Sequence, residues 1–182
     1  MIDRSTEKGK QDYAIFLLAS RMGLRRSDIA ELNFESIDFR NNRIHLTQKK
    51  TGNELELPLI DAVRNALICY IDTKKNCQYN GRVFADIDPN YITNLIRKLM
   101  LNSGININGR RLGPHSLRSS LATSMVNDGV PYEIIRKILG HSDHDTVRKY
   151  AKLDIERLRK CALKVPAPSG HFQILLEGGA HS

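Results

Sequence analysis

Three cysteines in 182 residues, Cys69, Cys77 and Cys161, are an odd number and stand at no metal-ligand spacing. That argues against a disulfide framework or a zinc knuckle, and the three read as reduced thiols. No apolar run reaches the roughly 20 residues of a membrane-spanning helix, and no charged-then-apolar leader opens the chain. The expectation is a soluble, cytoplasmic protein. Internal repeats and low-complexity blocks are also missing. Acid is the scarcer charge: 20 Asp+Glu face 28 Lys+Arg, a net charge of +8. Such a surface concentrates polyanions, and nucleic acid is the favoured partner, although a basic surface also simply keeps a protein dispersed. With 41% hydrophobic residues the chain can bury one core, and one compact domain is expected.

Pro, Gly and Ser divide the chain into short periodic segments. DYAIFLLASRM, from Asp12 to Met22, is nearly all apolar and stops at Gly23, as a buried helix with a glycine cap does. LRRSDIAEL restarts a helix, with Ser27 as N-cap and Asp28 and Glu31 near the positive end of the dipole. In RIHLTQKKTGNELELPL, Ile44 and Leu46 precede a Lys-Thr-Gly-Asn turn and Leu55 and Leu57 follow it. The alternation predicts a β-hairpin with lysines at its tip. Ala62, Val63, Ala66, Leu67, Tyr70 and Ile71 form an apolar stripe at helical spacing. Asp88-Pro89 opens another helix, with Ile92, Leu95, Ile96 and Leu99 as its stripe. Gly113-Pro114 starts a helix through HSLRSSLATSMV that closes at Asn127-Asp128-Gly129, and Pro131 opens YEIIRKIL, which Gly140 ends. Ser142 can cap a further helix, with Asp145 completing an acidic capping box. Beyond Lys164 the periodicity is lost.

His115 and Arg118 are three apart in the first turn of their helix, where unpaired backbone N–H groups attract anions. By itself such a pair also suits a solvated helix face. HSDHD, residues 141–145, invites a metal reading. His141 and His144 straddle a helix start, however, no HExxH or paired CxxC supports them, and Asp143 and Asp145 are suited to opposing a helix dipole. Taken singly, Arg25, Lys50 and Tyr150 are ordinary: a solvated arginine, a lysine that blunts a hairpin edge, a core tyrosine. Their order and context change the reading.

GLRRSDIAEL, KKTGNELELPL, GPHSLRSSLATSMVNDGV and IIRKILGHSDHDTVRKYAK, in that order, resemble the catalytic domain of the tyrosine recombinases, the phage-integrase and Xer-like family, over about residues 8 to 164. The resemblance implies a mainly α fold with a small antiparallel β-sheet (α+β), a catalytic domain over 1–165 and a tail over 166–182. It implies Arg25 as the first arginine, Lys50 as the lysine of the β-turn, and His115 and Arg118 as the H-x-x-R pair. It further implies His141 as the second histidine and Tyr150, nine residues on, as the nucleophile, with Asp28 as the acid that buttresses the site. Ser119 departs from the histidine that many members carry after the second arginine. Lys49 adjoins Lys50, which is chosen because it immediately precedes the Thr-Gly turn. Nothing before Arg25 is long enough for the N-terminal helical domain with which the family clamps the other face of DNA, so a catalytic-domain fragment of a longer protein is expected.

A phosphodiester's charge spreads over a pentacoordinate transition state, so catalysis is mainly positioning and charge stabilisation. The guanidiniums of Arg25 and Arg118 can each present a fork to the non-bridging oxygens, as an ammonium cannot. A tyrosine phenol, with pKa near 10, needs a proton acceptor at neutral pH. The resemblance implies His115 as that base, Lys50 as the acid for the leaving 5′ oxygen, His141 as a donor to a phosphate oxygen, and no metal or other cofactor. The implied activity is site-specific, metal-independent cleavage and rejoining of double-stranded DNA through a 3′-phosphotyrosyl intermediate. The implied assembly is a tetrameric synapse on DNA and a monomer for the fragment alone. The rivals are a non-catalytic helix–turn–helix regulator, a type IB topoisomerase and, last, a metal-dependent hydrolase. The tail, with Phe172, Ile174, Leu175 and Leu176 beyond VPAPSG, is expected to dock on a groove of its own domain or of a neighbouring protomer.

Overall fold

Residues 2–74, 81–85, 87–104, 109 and 111–140 are described by a computed structural model. The domain boundary after 165, the tail and the helix expected from Ser142 lie outside the described residues.

The first helix, α1 (Glu7–Arg21), begins well before the apolar run, because Thr6 caps it: its hydroxyl accepts from the Gly9 N–H at 3.0 Å. Ala14, Ile15, Leu18 and Ala19 are fully buried, and Gly23, at φ 64°, turns the chain out of the helix. The next helix, α2 (Arg26–Ala30), is one short turn. Ser27 is not its cap, contrary to expectation. Arg25 holds that position in extended backbone without a side-chain cap, and the Ser27 hydroxyl, inside the helix, donates to Asp28 Oδ1 at 3.3 Å. The buried carboxylate beside it takes the serine's hydroxyl hydrogen, a bond that the N–H groups of a helix start, themselves donors, cannot supply.

Three strands follow in antiparallel order β1-β2-β3: β1 (Ile37–Asp38), β2 (Arg43–Thr47) and β3 (Glu54–Pro58). The β2–β3 hairpin is as expected, with Ile44 opposite Leu57 and Leu46 opposite Leu55. β1 carries too little alternation to be read from sequence. It is set by the Asp38 carboxylate, which accepts from the N–H groups of Arg40 at 3.0 Å and Asn41 at 2.9 Å, and by Asn42 at φ 53°. Those bonds, the Asn41 N–H foremost, hold Asp38 below the usual carboxylate range.

The remaining helices are α3 (Asp61–Ile71), α4 (Pro89–Asn102), α5 (Pro114–Asn127) and α6 (Tyr132–Leu139), of which the last three begin and end near proline and glycine residues. Asp88 caps α4 through the Tyr91 N–H at 2.6 Å. Gly129 closes α5 with paired bonds, Gly129 N–H to Val126 O and Val130 N–H to Met125 O. The main core lies where α1 packs on α3, with Tyr70 stacked on Phe84 at 5.4 Å between ring centroids. A smaller cluster, Ala122, Ile135 and Leu139, joins α5 to α6. The fold is thus mainly α with a small antiparallel sheet. Among the described residues no helix is long and apolar enough to cross a membrane.

Candidate active site

A helix exposes unpaired carbonyls at its C-terminal end, which carries the negative pole of its dipole. At the end of α6 those carbonyls belong to Leu139 and Gly140, and two arginines from distant parts of the chain meet there. Arg25 Nη2 donates to Gly140 O at 3.0 Å. Arg118 is buried and divides its two terminal nitrogens between Leu139 O and Gly23 O. Because Gly23 lies just before Arg25, Arg118 ties the α1–α2 junction to the end of α6. The structure therefore brings together both arginines of the sequence-derived set.

Asp28 explains how Arg25 is held. One turn into α2, its side chain is 1% exposed, and Oδ2 lies 4.0 Å from Arg25 Nη1. Its other oxygen, Oδ1, accepts from the Lys49 N–H at 3.2 Å, so one buried carboxylate braces the arginine and the turn of the hairpin together.

The two lysines of that turn differ. Lys49 Nζ pairs with Glu31 at 2.8 Å, and Glu31 also takes Arg82 at 2.6 Å. The Lys49 hydrogen bond, chiefly, keeps Glu31 below the usual carboxylate range. Lys50 is exposed and makes no ion pair among the described residues. His115 is exposed in the first turn of α5, so the expected face shared with Arg118 is divided, the arginine turning inward and the histidine outward. His141 directly follows Gly140. It lies outside the described residues, as do Tyr150 and the rest of HSDHD.

The sequence reading missed Gln48. It is 1% exposed, and its Oε1 accepts from the Thr51 hydroxyl at 2.8 Å. Its amide lies against the backbone of Gly140, where an added Cβ would stand 2.0 Å from Nε2. The signal was available: Gln48 continues the inward phase of Ile44 and Leu46, a polar residue where the alternation calls for an apolar one.

Four buried side-chain N/O atoms make no hydrogen bond among the described residues, and three of them, Arg25 Nη1, Asp28 Oδ2 and Gln48 Nε2, are in this cluster. Unmatched buried groups cost stability and concentrate where a site has other use for them. A neighbouring cleft of about 890 Å³ above the sheet is a poorer seat for a phosphate. Its lining cation Lys49 is paired with Glu31, and Glu54 and Glu56 add negative charge.

The phage integrase family model matches residues 1–157. A relative in Sinorhizobium fredii, carried under the provisional name integrase/recombinase y4gC, is 31% identical over 166 residues, covering 88% of this chain and 86% of that protein. Tyrosine recombinase XerA of Thermococcus onnurineus is 31% identical over 161 residues, 85% of this chain and 55% of that one. XerC of Pseudomonas aeruginosa is 28% identical over 152 residues, 82% of this chain and 50% of the relative. The chain thus spans about half the length of these Xer relatives. Among solved structures, a crystal structure of XerA recombinase superposes with a TM-score of 0.69 at 25% identity, over 84% of this chain and 55% of that one. XerH bound to palindromic difH substrate in a post-cleavage complex gives 0.68 at 19% identity, over 88% and 47%, a likeness of fold. Family model, relatives and fold agree, and the chain belongs to the phage integrase family, with the fold of a tyrosine recombinase catalytic domain.

Proposed function

We propose that the chain is the catalytic part of a site-specific recombinase that cuts and rejoins double-stranded DNA through a 3′-phosphotyrosyl intermediate. The observation that carries this reading is the meeting of Arg25 and Arg118 at the end of α6, one residue before His141. Arg25 is thereby held in a part-buried setting and Arg118 in a buried one, where charge stabilisation is stronger than in water.

In the proposed step the bond from Tyr150 Oη to phosphorus forms as the bond from phosphorus to the 5′ oxygen breaks. The phenolic proton passes to His115, and Lys50 gives a proton to the leaving oxygen. Arg25 and Arg118 hold the non-bridging oxygens, and His141 donates to one of them. Attack of a DNA 5′ hydroxyl on the phosphotyrosine reverses the step, and the retained bond energy makes ATP unnecessary. The exposed His115 and Lys50 are where groups that must meet a substrate belong. A tetrameric synapse on DNA fits this chemistry, because each protomer supplies one nucleophile.

The test is a nicked suicide substrate carrying the ends of the protein's own element. A covalent adduct should form and map to Tyr150, and Tyr150→Phe should abolish it while DNA binding stays within a few-fold. An adduct mapped to Tyr132 or another residue would overturn the assignment.

A further inference from the structure

Gln48 has no part in the chemistry above, yet it occupies an unusual place. It is the residue just after β2, continuing the strand's inward phase, and its backbone closes the turn that carries Lys50: its N–H donates to Asn53 O at 2.9 Å and its carbonyl accepts from the Gly52 N–H at 2.8 Å. Its side chain works in both directions. Oε1 takes the Thr51 hydroxyl at 2.8 Å, which fastens the residue after Lys50. The rest of the amide fills the space over Gly140, whose carbonyl is held by Arg25. A glutamine in that slot forgoes the apolar contact that leucine would make there, and its Nε2 has no hydrogen-bond partner among the described residues.

We infer that Gln48 is a positioning residue that couples the Lys50 turn to the end of α6, setting the reach of the Lys50 ammonium to the 5′ oxygen relative to the phosphate held by the arginines. The turn is otherwise tied to the body of the protein through the Lys49 N–H on Asp28 and the pair of Lys49 with Glu31, both one residue before the acid. Those contacts fix where the turn begins. Gln48 and Thr51 fix how its tip lies against α6. The α6 backbone leaves room for the amide only because residue 140 is a glycine, at φ 56°.

The inference rests on Lys50 being the proton donor, and the experiment separates the two. Cleavage rates of Gln48→Ala, Thr51→Val and Lys50→Ala would be compared on an ordinary suicide substrate and on one whose 5′ bridging oxygen is sulfur, a leaving group that needs no proton. Misplacement of a general acid is expected to slow oxygen-substrate cleavage about tenfold or more in Gln48→Ala, and less in Thr51→Val, with most of each loss restored by sulfur. Gln48→Glu keeps the shape and the acceptor for the Thr51 hydroxyl, and should recover part of the rate. If Lys50→Ala is restored by sulfur and Gln48→Ala is slowed equally on both substrates, Gln48 does not act through the acid and the inference fails. If Lys50→Ala itself gains nothing from sulfur, the assignment of the acid fails first. Thermal melting of each variant identifies a general loss of fold, and should Gln48→Ala not fold, an unrestored Thr51→Val defect would equally overturn the coupling.

Discussion

Arg118 carries two duties on one side chain. Buried on α5, it satisfies carbonyls of two other segments, and replacing it leaves both unmatched. Arg118→Met should lower unfolding free energy by about 2 to 5 kcal/mol, the loss of two charge-assisted bonds in a buried setting, measured by denaturant titration. Arg118→Lys should recover little of that, because one ammonium cannot span Gly23 O and Leu139 O as a fork does. The adjacent lysines provide the opposite contrast. Lys49→Ala breaks a pair at the surface but keeps the backbone bond to Asp28 that holds the turn, and should leave cleavage nearly unchanged, whereas Lys50→Ala should slow cleavage of an ordinary phosphodiester by about a hundredfold or more, the usual worth of a general acid. A larger loss for Lys49→Ala in the same rate assay would exchange their roles.

Helices and strands were readable where the chain carries its own stop signals. Pro89 and Pro114 open α4 and α5, Gly129 and Gly140 close α5 and α6, and the alternation around Leu46 and Leu55 marks the hairpin. The first turn of α1 was not readable, because charged residues fill it and only Thr6 marks its start. β1 was not readable either, since its order comes from the Asp38 turn and from pairing to β2. At the site, residue types and order pointed to the arginines, but nothing local tells that Arg118 turns inward or that Gln48 packs on Gly140, because both depend on segments remote in sequence. The junction between α1 and α2 illustrates the same dependence. A methyl at Gly23 would stand 2.9 Å from Leu121 Cδ2 and 3.0 Å from Leu139 Cδ2, in a backbone conformation at φ 64° that L residues avoid. Gly23→Ala should therefore cost about 1 to 3 kcal/mol and loosen α5 and α6 against α1, seen as a lower melting temperature and faster amide exchange in all three.

For the molecule as a whole, the excess of 28 basic over 20 acidic residues favours polyanions whatever their sequence. Affinity for duplex DNA should fall steeply and linearly on a log–log plot against salt between about 50 and 200 mM, with little preference between sequences for this chain alone. Binding by a filter or fluorescence assay that is tight, sequence-specific and indifferent to salt would contradict that. The arginine contacts also bear on how the protein is made. Arg25 finds its acceptor 115 residues further along the chain, and Arg118 reaches back 95 residues to Gly23 and forward 21 to Leu139. No piece released from the ribosome before α6 is complete can hold either guanidinium in its final partnership. A nested series of C-terminal truncations ending before Leu139 should therefore lack the fixed pair of guanidiniums, and an interrupted translation product would carry both arginines without the acceptors that orient them.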